Sequence, residues 1–384
     1  MAPRSENGPL AFWYDPAIRG RIYQTLFVLA LGIVLFEAIV DVRANMQARG
    51  IPTDFDFLDD VAGFDINLTL IPYSATSTYG RAFFVGLLNT GLAAALGLIL
   101  ATVVGFAIGI ARLSKNWIVA KFAMVYVEAL RNVPLLLQLL FWYNAVLKPL
   151  PAPRQSYVLP FGMYLNNRGL FAPELVFGPG AQWIGAAVIV AALVAVLARL
   201  TGIGARLGRF WPTLLIGLPV AAYFLAGQPV SFIVPELKGF NFSGGVRLLP
   251  EFVALVLGLG LYTAAFIAEI VRAGVEAVPR GQSEAAAALG LSRRQTNRFV
   301  VVPQAMRIIT PLLTSQYLNL IKNSSLAVFI GYPDLVQVFA GTVLNQTGAA
   351  VQVIFITMAV YLAISLFASL AMNLYNRRFA LVER

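Results

Sequence analysis

The chain has 384 residues, 59% of them hydrophobic and only 12% charged, with a mean hydropathy of +0.77 and a net charge of +10. This composition excludes an ordinary soluble domain. The absence of Cys and His removes disulfides, thiolate metal sites and the commonest general base; no lysine follows a glycine, so no Gly-x4-Gly-Lys phosphate loop exists.

Apolar runs able to cross ~30 Å of hydrocarbon recur along the chain. They predict an all-α, polytopic helical membrane protein with about eight transmembrane helices, near 22–42, 83–111, 119–147, 182–200, 210–227, 251–277, 300–322 and 352–376. The first run lies too far from the start, and lacks a small-residue cleavage site, to be a signal peptide. Within it Glu37 and Asp41 are one turn apart near the outer end, where water solvates them. An acidic loop follows, with Asp54, Asp56, Asp59, Asp60 and Asp65. Residues 1–82 are therefore read as an N-terminal segment, a first span and an acidic outer loop. Residues 83–384 form the transmembrane domain, with an extra two-span insert at about 150–249. The outer segments 43–80, 148–181 and 228–250 are rich in Pro, Gly and aromatics, which predicts structured caps rather than free linkers. No internal sequence repeat is evident.

Ionisable groups inside spans are costly and face partners or cavities. The third span carries Glu128, Arg131, Pro134 and Gln138. Glu128 and Arg131 share one helical face at i and i+3. They form either an ion pair that fixes packing or a pair that binds a zwitterion or gates a pathway. Glu269 and Arg272 repeat the spacing in the sixth span, where the structural role is the stronger reading. The seventh span ends in Asn319, Lys322, Asn323, Ser324 and Ser325. Such a cluster at a helix end can hold a carboxylate and an amine, unless Lys322 simply snorkels to the interface.

One polar, helix-forming stretch lies between the sixth and seventh spans. Pro279 and Ser283 offer a helix start, Glu284 suits the positive end of the helix dipole, and Ala285 to Ala288 propagate it. Gly290 can take the left-handed conformation that ends a helix. Ser292 and Gln295 then form a capping box opening a second helix with Arg293, Arg294 and Arg298. Two short helices at an angle make a docking knob for another protein. The same residues could pass for a DNA-binding helix-turn-helix, but a recognition helix between two spans has little room to enter a groove.

Lys and Arg set the orientation. With the N-terminus inside, 18 of them fall in inner segments, eight in outer ones, and Arg131 and Lys322 lie within or at the edge of spans. The positive-inside rule then places both termini, and the knob, in the cytoplasm.

The knob's spacing resembles the EAA loop of ABC importer permeases: Glu284-Ala285-Ala286, three residues, Gly290, nine residues, then Val300-x-Val302-Pro303. Valine at two positions where Ile and Leu are usual is a conservative departure. Asn89-Thr90, Glu128 to Gln138, Tyr262 to Gly274, Val278 to Gln282 and Asn319 to Leu326 add to it. Together they resemble polar amino-acid importer permeases, over about 83–147 and 250–380. The acidic loop and the insert are similar to the Q-type permease of general L-amino acid systems.

That resemblance implies a type I ABC importer core, a permease for L-amino acids of broad specificity in the bacterial inner membrane. It implies a heterodimer with a second, related permease, two ATPases and a periplasmic amino-acid-binding protein, with ATP and Mg bound by the ATPases and no cofactor or metal in this chain. Nucleic acid is not among the implied partners. Glu284, Ala285, Ala286, Gly290, Ser292 and Pro303 are implied in ATPase coupling. Glu128, Arg131, Gln138, Lys322, Asn323 and Ser324 are the candidates for substrate contact, with no catalytic residue. Asn323 stands where many relatives carry Asp, which weakens a cation-selective pocket. An ion-coupled secondary transporter is the alternative, and a membrane-embedded enzyme a weaker one.

Overall fold

The structure is a computed structural model, and it describes residues 15–48, 50, 54–200 and 211–377. Of the cations counted for orientation, Arg4, Arg49, Arg206, Arg209, Arg378 and Arg384 lie outside the described residues. So does the opening residue of the fifth expected span.

The chain folds as two units. The first takes residues up to 87 together with 335–363. It holds helix α1 (Pro16–Ala48), the loop over 54–78, the start of α2 (Tyr79–Arg112), a π-helical stretch Val336–Val343, α11 (Leu344–Thr347) and the start of α12 (Ala350–Arg377). Its core is a knot of Phe57, Ala62, Tyr79, Val338, Phe339 and Val353. The acidic loop is thereby a folded cap, as its aromatics led one to expect. Tyr79 donates to Gln346 at 3.0 Å, Arg81 reaches the carbonyl of Pro72 at 3.0 Å, and Tyr73 donates to that of Phe64 at 3.0 Å. Burial first, then the charge of Asp65 and the neighbouring Tyr79, hold the Tyr73 phenol up to about 12.

The second unit takes 88–334 and the rest of α12. At its centre lies α7 (Pro250–Glu276), against which α3 (Trp117–Asn132), α4 (Leu135–Leu140) and α10 (Val302–Asn323) pack. The remainder of α2 joins them through Gly105 and Gly109. A Cβ at either would meet Ile267 at 2.6 Å or Val271 at 2.7 Å, so only glycine admits this approach. This is the small-x3-small packing of membrane helices, where no hydrophobic effect separates helix from lipid and close contact drives association. Tyr126 on α3 donates to the carbonyl of Leu261 at 2.8 Å, and Thr102 and Tyr317 link α2 to α10 at 2.9 Å.

The insert adds short strands to a chain that is otherwise helical, as expected. Helices α5 (Ala181–Leu200) and α6 (Trp211–Leu225) pack on each other as a hairpin. Flanking the hairpin in sequence are eight short strands: β1 (Tyr157–Leu159), β2 (Met163–Asn166), β3 (Gly169–Ala172), β4 (Glu174–Phe177), β5 (Val230–Ile233), β6 (Glu236–Lys238), β7 (Asn241–Ser243) and β8 (Val246–Leu248). They form an antiparallel sheet β1-β2-β3-β8 and two antiparallel pairs, β4-β5 and β6-β7. Because β3 pairs with β8 and β4 with β5, the two ends of the insert are zipped together. Strands of three or four residues leave too little alternation to be read beside long apolar runs.

Helices occupy all eight apolar stretches. Among the described residues four are long and apolar enough to cross a membrane: Pro16–Ala48, Tyr79–Arg112, Pro250–Glu276 and Ala350–Leu374. The third stretch makes a fifth if its two halves count as one, and the insert supplies shorter apolar helices, Ala181–Ala195 and Ile216–Leu225.

Candidate functional site

The third span is broken. Its halves meet at Val133-Pro134 with a bend of 106°. Proline lacks an N–H and pushes the preceding residue out of the helical region, and Val133 sits at φ −100, ψ 128 accordingly. A break frees backbone carbonyls, and in hydrocarbon these must find a donor. Gln138 supplies it: the amide nitrogen, 5% exposed as a residue, donates to the carbonyls of Leu130 at 2.8 Å and Val133 at 2.9 Å. The sequence suggested Gln138 as a substrate ligand; here its amide caps the break. Beyond it the helix continues as a π-helical stretch, Phe141–Leu147.

The seventh span also changes form. After Asn323 the α-helix tightens into a 3-10 segment, Ser324–Ile330, ended by Gly331 at φ 75. Ser324 is wholly buried and donates to the carbonyl of Ile321 at 2.7 Å, while Ser325 donates to that of Lys322 at 2.8 Å. Both serines thus serve the helix end. Lys322 is exposed and Asn323 half-buried. The 3-10 segment packs on α4 and α7, so the two interrupted helices adjoin and bring the Gln138 and Ser324 segments together. Interrupted helices placed side by side are how membrane proteins present backbone polarity to a cargo. Next to them, Asn89 donates to the carbonyl of Pro333 at 2.9 Å and accepts from Tyr332 at its own carbonyl, 2.9 Å.

The expected pairing of Glu128 with Arg131 does not form. Glu128 is exposed, with Asn132 3.5 Å from its carboxylate. Arg131 turns to a different helix: its guanidinium lies 4.0 Å from Glu269 and 5.2 Å above the ring of Phe266. Spacing on one helix shows that two side chains can meet, and a better-placed carboxylate on α7 wins. Glu269 is a hub. Arg272 contacts it at 2.5 Å, as the i, i+3 spacing led one to expect, and Arg112 at the end of α2 pairs with its other oxygen. Arg272 also pairs with Glu276. Three arginines from α2, α3 and α7 thus converge around one carboxylate, and nothing in the single-helix pattern announces this.

The knob between the sixth and seventh spans is formed by α8 (Arg280–Ala288) and α9 (Arg293–Thr296). Helix α8 starts one residue after Pro279, so Ser283 is not its cap and Glu284 lies past the first turn, too far along to complement the dipole. Its end follows the sequence expectation. Gly290 adopts φ +77, with Gly290 N–H donating to Ala287 at 2.9 Å and Leu291 N–H to Ala286 at 3.1 Å. These two bonds make a Schellman turn, and Ala286 is buried. Ser292 caps α9 through the capping box with Gln295. Glu284, Ala285 and Leu289 are exposed, Leu289 by 82%.

The second knob helix is not a separate short one. From α9 the chain passes through a π-helical stretch, Asn297–Val301, directly into α10, with Pro303 as its second residue. A continuous helical run therefore joins Arg293 to Asn323.

Residues 184–381 match the family model described as binding-protein-dependent transport system inner membrane component. Along nearly the whole chain there are curated relatives. It is 52% identical to YhdX of Escherichia coli strain K12, named as an amino-acid ABC transporter permease, with 98% of each chain covered. It is 48% identical to AapQ of Rhizobium johnstonii, a general L-amino acid transport system permease protein, covering 97% of this chain and 94% of that one. BztB of Rhodobacter capsulatus, a glutamate/glutamine/aspartate/asparagine transport system permease protein, is 40% identical over 97% of this chain and 96% of its own. A family match over half the chain and full-length identities of this size leave one conclusion. The chain belongs to the binding-protein-dependent transport system inner membrane components, and is a multi-pass membrane transport protein.

Proposed function

We propose that the chain is one permease subunit of an ATP-driven importer of L-amino acids, paired with a second, related permease, two ATPase subunits and a periplasmic binding protein. The observation that carries this is the knob: an exposed, Schellman-terminated helix whose partner helix runs unbroken into a span. A push on Leu289 or Glu284 is delivered by that run to the interrupted end at Asn323, next to α4. ATP binding and Mg belong to the partner ATPases, whose closure moves the knob and swaps inward- and outward-open states. The knob and both termini face the cytoplasm. The amino-acid substrate class is supported by the names of the full-length relatives. An ion-coupled carrier has no use for such a knob.

For the cargo, Arg131 is the best-placed cation. Glu269 already has Arg112 and Arg272, so one guanidinium is in surplus and open to a substrate carboxylate. Lys322 and Asn323 are accessible beside the second interruption, whereas Gln138 and Ser324 hold the geometry. Glu128 offers an exposed acceptor for the ammonium group. The hub also makes the test clean, because removing Arg131 leaves no carboxylate unpaired. Arg131→Met in the reconstituted importer is expected to raise the apparent KM for amino acids about tenfold, with unchanged copurification of the ATPases. Parental uptake kinetics in that variant remove Arg131 from the substrate path. Failure of the parental chain to copurify with any ATPase sinks the importer reading itself.

A further inference from the structure

Three arginines stand at the foot of the knob. Arg293, Arg294 and Arg298, with Asn297 and Val302, line one open concavity of about 650 Å3. All three arginines are exposed. Among the described residues no carboxylate pairs with any of them; the ion pairs gather around Glu269 and Glu276 instead. Three like charges held in one hollow repel one another, and an anion in the hollow offsets that cost.

One lining residue, Val302, is apolar, and Phe299 lies beside Arg298 just outside the hollow. Val302 opens α10, a helix of the membrane domain, and is 49% exposed; Phe299 is 60% exposed, with the Arg298 guanidinium 5.5 Å from its ring centroid. The knob's tip differs from its foot: residues 281–292 contain no Lys or Arg, and Leu289 is bare there. Cations and exposed apolar side chains thus adjoin at the start of α10, apart from the knob's uncharged tip.

We propose that this concavity binds the phosphate headgroup of an anionic phospholipid in the leaflet beside the knob. Arginine forks donate to phosphate oxygens two at a time, and the acyl chains lie along Phe299 and Val302. A lipid held there fixes the depth at which the knob leaves the membrane. The inference depends on the chain being a membrane protein and not on the docking assignment.

The test uses the full chain in nanodiscs of equal phosphatidylglycerol and phosphatidylcholine, extracted into detergent, with retained lipid measured by mass spectrometry. The parental chain is expected to keep phosphatidylglycerol selectively. Each cation near a membrane surface is worth about fivefold in affinity, so R294Q/R298Q is expected to bind it about 25-fold more weakly. R294K/R298K keeps the charge and is expected to retain most of it. Should the Gln variant not fold, salt decides on the parental chain: raising ionic strength from about 0.05 to 0.5 M should release the lipid several-fold. Three results overturn the proposal. One is retention that ignores both charge removal and salt. Another is displacement of the lipid by millimolar inorganic phosphate, which makes the hollow a free-anion site. The last is parental lipid retention in the Gln variant with loss of ATPase association, which makes it part of the docking surface.

Discussion

The third span and the knob are both helices interrupted and restarted, one in lipid and one in water. At Val133-Pro134 the freed carbonyls are served by a dedicated side chain, the amide of Gln138. At Gly290 the backbone serves itself through a Schellman turn, and Ser292 with Gln295 finish the restart. The solvent explains the difference. Water would hydrogen-bond whatever the knob leaves open, so its devices tune direction more than survival. Hydrocarbon offers nothing, so the membrane break depends on one residue.

That contrast ranks the expected damage. Gln138→Leu strands two carbonyls in an apolar setting, at a cost on the order of 4 kcal/mol. Folded yield and thermal stability in detergent should fall sharply; a parental melting curve would show that the break is capped by something else. Glu269→Gln leaves Arg112, Arg131 and Arg272 facing each other without their shared carboxylate. Because the hub is partly solvated, about 2–3 kcal/mol is expected, again as lost thermal stability. Reversing the loss by adding Arg112→Gln would confirm the repulsion.

Gly290→Val should be the mildest to the fold and the most specific to function. No atom lies within 4 Å of a Cβ there, so nothing clashes, and the cost is the left-handed backbone alone, ~1–2 kcal/mol. The melting temperature should barely move while affinity for the ATPases drops about tenfold. A variant that binds and transports like the parent would mean that the knob's direction is irrelevant.

The knob was legible because its signals are local. Gly290, Ser292 and Gln295 act within six residues, and a sequence states such relations outright. Of the two starts the sequence offered for α8, Pro279 sets the first turn and Ser283 lies inside the helix. In the membrane the relevant partners sit on other helices. Arg131 and Glu128 have the spacing of a pair, yet Arg131 reaches Glu269, 138 positions away. Gln138 read as a polar site residue, and Pro134 four residues earlier was the clue to its capping role. Gly105-x3-Gly109 was also present as a packing signal and lies where α2 closely approaches α7. The strands of the insert were hidden by their shortness.

The central claim is that the knob meets an ATPase on the cytoplasmic side. The chain has no native cysteine, so Leu289→Cys places one thiol at a strongly exposed point of the knob. Its labelling by a membrane-impermeant maleimide is the direct measurement, in intact cells and in inside-out vesicles with and without bound ATPases. The account predicts no labelling in cells, strong labelling in stripped vesicles, and protection when the ATPases are restored. Labelling in intact cells, or vesicle labelling that the ATPases do not affect, would contradict it.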